Sequence, residues 1–188
     1  MDGDMIEEFA LGTSRVYRMP LVESGRDGER AAVSRLVARA FGSDVRLLHA
    51  PNGRPYVEGG AGGGGRFISV SHGAGMALLA VNARRRIGID VEAPRMQLHR
   101  VAAKFLHADE AAVWGGSMDR LLAAWTVKEA VYKALWMDGA ALAEIRLPAD
   151  GGDGFAWYEG RGASRRFDLY AAEGEGWRLT LAEEQLAF

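Results

Sequence analysis

What most constrains the fold is an order of periodicities that occurs twice along the chain, a helical run followed by short strand-like runs cut by glycine turns. Residues 29–41 place Val33, Leu36, Val37, Ala40 and Phe41 at helical spacing, with Gly42 where a helix commonly stops. Residues 45–49 and 55–57 then read as short strands around the Asn52-Gly53 turn, and residues 59–65 form a nearly all-glycine loop. That tract lacks the Lys-Ser or Lys-Thr ending of a nucleotide P-loop and reads as a flexible connection. Three runs in close order, residues 67–71, 76–82 and 86–92, predict an antiparallel meander. In the second block a helical region over residues 99–113 leads to Ser117, an expected N-cap, and to a long helix over residues 118–136. Residues 143–147, 155–158, 166–170 and 177–181 return to strands. The pattern predicts an α+β fold with two similar halves, although no residue-by-residue repeat joins them.

Composition narrows the function classes. A formal charge of -2 supplies no general field for nucleic acid or an anionic membrane, so any basic site is local. The absence of cysteine removes disulfide frameworks, thiolate zinc sites and cysteine nucleophiles, and suits a reducing cytoplasm. The first nine residues are acidic and do not read as a secretory signal, and no run is long and apolar enough to span a bilayer. The expectation is a cytoplasmic protein with neither nucleic-acid nor membrane partners.

Three stretches could carry chemistry. In Ile87-Gly88-Ile89-Asp90-Val91-Glu92, strand alternation puts the three apolar residues on one face and Gly88, Asp90 and Glu92 on the other. Two neighbouring carboxylates repel unless a cation lies between them, and oxygen-only ligands select a hard ion such as magnesium. Gly88 is expected to leave room for a ligand on that face. The bland alternative is a solvated strand end beside Arg84, Arg85 and Arg86. On the long helix, Trp125, Glu129 and Lys133 are successive i, i+4 neighbours. They read either as a site edge or as a core aromatic beside an ordinary helix ion pair. Ser71 and His72 end a strand and point to opposite faces, which disfavours a Ser-His nucleophile pair. Anion contact suits His72 better, the alternative being a turn residue bonded to its own backbone.

These stretches together resemble a family. Asn52-Gly53-Arg54-Pro55, Ser69-Val70-Ser71-His72, Gly88-Ile89-Asp90-Val91-Glu92 and the helix segment from Trp125 to Ala134, with its Lys128-Glu129-Ala130 centre, follow the order and approximate spacing of the 4'-phosphopantetheinyl transferase superfamily. Arg30 and Arg39 on the first helix, and Phe105-Leu106 before Glu110, also resemble its surfactin-type, pseudo-dimeric branch. Three places depart from the family's pattern: Gly53-Arg54-Pro55 stands for the usual Gly-Lys-Pro, the region before the first helix is short and lacks the basic cluster that helps bind the 3'-phosphate of coenzyme A in surfactin-type members, and Trp136-Met137-Asp138-Gly139 stands for the usual glycine-rich turn.

The resemblance implies an intramolecular pseudo-dimer of two α/β halves, residues 1–85 and residues 86–188, each with an antiparallel sheet packed against a long helix. It implies transfer of the 4'-phosphopantetheine group from coenzyme A to a serine of an acyl or peptidyl carrier protein, releasing 3',5'-ADP, by a monomer. It puts Mg2+ on Asp90, Glu92 and Glu129, with Glu129 as base for the carrier serine and Lys133 on the pyrophosphate and leaving group. Arg54, His72, Ser71, Lys133 and Arg39 become the coenzyme A contacts. The arginine run at Arg84 to Arg86 reads as either a contact for an acidic carrier helix or a solvated hairpin tip. Rival readings are a non-catalytic carrier- or coenzyme A-binding homologue and a metal-dependent pyrophosphate hydrolase.

Overall fold

The computed structural model describes residues 6–23, 25–60 and 66–186. Residues 61–65 of the expected glycine loop lie outside them. The chain runs β1 (Glu7–Leu11), β2 (Ser14–Pro20), α1 (Arg26–Phe41), β3 (Arg46–His49), β4 (Pro55–Glu58), β5 (Phe67–Gly73), β6 (Met76–Asn82) and β7 (Ile87–Glu92). It continues through α2 (Gln97–Phe105), α3 (Ala111–Trp114), α4 (Met118–Leu135), a 3-10 turn (Leu142–Glu144), β8 (Ile145–Arg146), β9 (Phe155–Gly160), β10 (Ala163–Gly174) and β11 (Trp177–Glu184). Among the described residues these strands form a sheet of order β1-β2-β6-β5, a second of order β7-β11-β10-β9-β8, and the hairpin β3-β4, all antiparallel. The fold is mixed α+β.

Three apolar clusters follow from the patterning. Leu36 and Val37 of α1 pack on Tyr17, Met19, Ile68 and Leu79, which lie on one face of the first sheet. Leu122, Val127 and Val131 of α4 pack on Phe167, Leu169 and Ala182 of the second. Between the sheets, Val16, Leu78 and Ala80 meet Ile87, Ile89 and Leu181. β6 is therefore covered on both faces, which is why Met76-Ala77-Leu78-Leu79-Ala80 reads as a continuous apolar run instead of alternating.

Several expectations change. The hairpin β1-β2 was not anticipated; its signal was the Gly12-Thr13 turn, with Gly12 at φ 57°, between two runs containing exposed polar residues. The helical region over residues 99–113 is two helices, α2 and α3, broken at Leu106 where the backbone turns extended. The three-stranded meander is not formed. β5 and β6 pair, but β7 pairs with β11. The backbone N–H groups of Arg84 and Arg85 donate to Asn82 Oδ1 (2.8 and 2.9 Å), a local turn that carries the chain out of the first sheet. β7 still lies beside β5: Ser69 Oγ and Ser71 Oγ accept from the N–H groups of Ile89 (3.0 Å) and Val91 (3.3 Å), so serine side chains do what a backbone ladder would otherwise do.

Two buried polar networks fix the remaining geometry. The Glu183 carboxylate, fully buried on β11, accepts from Thr13 N, Thr13 Oγ1 and Ser14 Oγ at 2.7–2.9 Å, tying the β1-β2 turn to the second sheet. Lys128 of α4 is 0% exposed and donates to Glu110 Oε2 and Ile145 O, both at 2.6 Å. Glu110 also accepts from His107 N (2.9 Å) and Leu147 N (2.7 Å). Burial holds the Lys128 ammonium below the ordinary lysine value, and the Glu110 carboxylate opposes that shift. Removing one partner leaves the other charge buried without compensation. Lys128→Met is therefore expected to destabilise the protein by about 3–5 kcal/mol, read as a lowered urea midpoint.

Candidate active site

Gly88 is where the expected ligand space is absent. A Cβ there would lie 1.9 Å from Ala130 O and 2.8 Å from Ala134 N, so the missing side chain admits α4 and not a ligand. The helix backs directly onto β7, with Ser117 as N-cap accepting from Arg120 N (3.2 Å), as its sequence predicted. One turn of α4 thereby brings Glu129 and Lys133 to the strand residues Asp90 and Glu92.

The four groups form one electrostatic unit. Lys133 Nζ donates to Asp90 Oδ1 (2.8 Å), Ile89 O (2.9 Å) and Ser71 Oγ (3.2 Å). Ser71 Oγ donates to Asp90 Oδ1 (3.1 Å). Asp90 is 5% exposed, and its Oδ2 is buried with no hydrogen-bond partner. Glu92 Oε1 accepts from Trp125 Nε1 and Arg95 Nη2, both at 3.1 Å. Trp125 is thus both a core aromatic, edge-on to Phe105 at 5.1 Å, and a donor to the site. Burial raises the Glu129 carboxyl above the ordinary glutamate value, and the Asp90 charge adds to it while Lys133 opposes. Glu92 is raised first by burial, with the Trp125 hydrogen bond opposing and Asp90 reinforcing.

The helix pair Glu129 and Lys133 therefore does not stand as an isolated surface bridge; Lys133 turns to Asp90. An all-oxygen donor set with an orphaned, buried Asp90 Oδ2 fits a hard divalent cation. Among the described residues no group of three or more histidine or acidic side chains is gathered as a ready metal cage, so binding would require side-chain rotation.

A cleft of about 310 Å³ opens beside Lys133, lined among others by Arg54, Ser69, His72, Tyr132 and Trp136. It adjoins a second of about 570 Å³ at α1, lined by Arg26, Glu29 and Arg30, and His49 and His72 line both. His72 is half exposed and its Nδ1 lies 3.4 Å from Glu29 Oε1. Arg54 sits in the turn that joins β3 to β4, where Asn52 Oδ1 accepts from its backbone N–H (3.2 Å). Ser71 is 4% exposed, with its hydroxyl engaged by Asp90, Lys133 and Val91, so it supports the site from behind. Arg39 lines neither cleft and pairs with Glu8 at 3.3 Å. Arg26 and Arg30, two turns and more before it, face the second cleft instead. Of the arginine run, Arg85 pairs with Asp168 (2.9 Å) and Arg86 with Glu184 (3.7 Å). Sequence reasoning did not assign Glu29, Arg95 or Trp136 to the site. Arg95 was accessible in principle, since it follows Glu92 by three residues and forms an ion pair with it.

Raised carboxyl pKa values make the ionised site a cost to the fold. A group whose folded pKa is raised loses stability as pH climbs through that value. Glu129→Gln is accordingly expected to stabilise chelator-treated protein at neutral pH. That advantage should shrink as pH falls toward the ordinary glutamate value of 4.5, in thermal unfolding of both proteins across a pH series.

The model of the 4'-phosphopantetheinyl transferase superfamily matches residues 86–182. That stretch is just over half of the chain, begins just before β7 and contains Asp90, Glu92, Glu129 and Lys133. No curated protein matches the chain. The chain belongs to the 4'-phosphopantetheinyl transferase superfamily, and its reaction class is phosphopantetheinyl transfer.

Proposed function

We propose that this protein is a surfactin-type transferase that moves 4'-phosphopantetheine from coenzyme A to a serine of an acyl or peptidyl carrier protein, with Mg2+ as cofactor. The observation that carries the reading is the buried, unpartnered Asp90 Oδ2 among two further carboxylates of raised pKa, beside Lys133 and a cleft walled by Arg54 and His72. Residues 1–85 and 86–188 act as two halves of an intramolecular pseudo-dimer, each an antiparallel sheet with one long helix, and the protein works as a monomer. The two-sheet arrangement supports this, with α1 on the first sheet, α4 on the second and β5 beside β7. No helix among the described residues is long and apolar enough to cross a membrane.

Asp90, Glu92 and Glu129 would hold the ion, which when bound neutralises charge on the pyrophosphate oxygens. Arg54 and His72 bind the 3'-phosphate of coenzyme A, and Lys133 meets the pyrophosphate. The carrier serine Oγ attacks the phosphorus of the phosphopantetheine moiety as the bond from that phosphorus to the 3',5'-ADP oxygen breaks. Glu129, whose carboxyl burial raises above the ordinary glutamate value, accepts the serine proton. Lys133 stabilises the charge that gathers on the departing 3',5'-ADP. The nucleophile belongs to the partner, so no enzyme-bound covalent intermediate forms. Buried Ser71, already committed to Asp90, is consistent with that.

Intact-mass measurement of an apo carrier protein incubated with this protein, coenzyme A and Mg2+ tests the reading. The expected result is a gain of one phosphopantetheine that disappears with EDTA. Asp90→Ala should remain folded by circular dichroism and show no gain, and Lys133→Ala should lose about 10²–10³ in kcat, the scale of one charge-stabilising donor. Coenzyme A binding without transfer to any of several carriers would instead favour a non-catalytic homologue. Release of product without a carrier would favour a hydrolase.

A further inference from the structure

Trp136 ends α4 in the left-handed region, at φ 52° and ψ 37°. A side chain is strained in that conformation, and glycine is the residue that ordinarily takes it at a helix end. Here the position carries the largest side chain available, and its ring is used. The Arg54 guanidinium carbon lies 3.7 Å from the ring centroid, a stacking distance. The Arg86 guanidinium approaches the same ring at 5.4 Å, and Phe67 packs against it at 5.1 Å, tilted by 47°. Arg54 comes from a different element, the β3-β4 hairpin, and its Nε is buried without a hydrogen-bond partner. Both Arg54 and Trp136 line the cleft beside Lys133.

We propose that Trp136 is the positioning residue for Arg54: its indole face fixes the guanidinium plane at the cleft wall so that the fork of N–H donors meets a phosphate in one orientation. The inference rests on the reading of this cleft as the coenzyme A site and adds the residue that orients its arginine. It also accounts for arginine at position 54. A planar, weakly hydrated guanidinium stacks on a ring and still offers two parallel donors to a phosphate monoester, whereas a lysine ammonium offers a single point charge. The arginine and the tryptophan are then one device. Held flat, Arg54 loses little side-chain freedom when the anion arrives.

The test uses the full chain, with calorimetric binding of 3',5'-ADP and steady-state kinetics in coenzyme A. Trp136→Gly suits the left-handed backbone, so loss of function in it does not come from strain at that position. It is expected to weaken 3',5'-ADP binding and raise the KM for coenzyme A by about tenfold, the scale of a partly desolvated cation-π contact, with kcat unchanged. Trp136→Phe, which keeps a ring, should recover most of the loss. In an Arg54→Ala background, Trp136→Gly should change binding no further. Unaltered binding in Trp136→Gly, or an equal loss with and without Arg54, would overturn the proposal and leave the coenzyme A reading standing. If the unaltered protein binds neither 3',5'-ADP nor coenzyme A, the coenzyme A reading fails and this proposal with it.

Discussion

The site depends on how closely a helix approaches a strand. Because Gly88 has no Cβ, the α4 backbone at Ala130 and Ala134 lies directly on β7, and any larger residue would hold it away. Only at that distance does a lysine on the helix reach an aspartate on the strand, as Lys133 reaches Asp90 at 2.8 Å. The spacing of the chemistry-bearing residues within each element is a local property of helix and strand. Their meeting is a property of one glycine. Packing and site geometry are here the same fact seen at two scales, since α4 also supplies much of the apolar cluster under the second sheet.

The strand that carries Asp90 is in turn held by side chains as much as by backbone. On one edge β7 pairs with β11. On the other, the hydroxyls of Ser69 and Ser71 receive two of its N–H groups, so the first sheet grips the second through serine oxygens. Ser71 then bonds Asp90 itself, linking the seam between sheets to the centre of the site. Glu183 closes the same seam from farther along, accepting three hydrogen bonds from Thr13 and Ser14. A carboxylate with that many donors is well compensated in a buried position, whereas a leucine there would orphan all three.

The local features were legible because they depend on near neighbours. The helix of residues 118–136, its Ser117 cap, and the alternation that sends Ile87 and Ile89 inward are properties of a few consecutive positions, and the structure has them within a residue or two. What the sequence hid is non-local. Nothing in Gly88 distinguishes space left for a ligand from space taken by a helix, because the answer lies in residues more than forty positions away. The strand order failed for the same reason: adjacency in sequence suggested β6 beside β7, and the partner of β7 is the last strand of the chain. Arg39 shows the limit of helical position alone, since it sits on the right helix but turns toward Glu8 on β1.

Lys128 and Glu129 are consecutive residues on one helix and occupy opposite electrostatic situations. Lys128 points into the core under the second sheet, where Glu110 and the Ile145 carbonyl meet its donors and its charge is matched. Glu129 has no such partner donating to it among the described residues: burial first, and then the Asp90 charge, raise its carboxyl above the ordinary glutamate value, while Lys133 opposes. Both groups are desolvated, so burial alone does not separate structure from function. The difference lies in compensation: a matched buried charge is explained by the fold that encloses it, and an unmatched one is explained only by something the fold is built to receive. By that criterion Asp90 Oδ2 and Glu129 suit the proposed cation site, while Lys128 belongs to the fold.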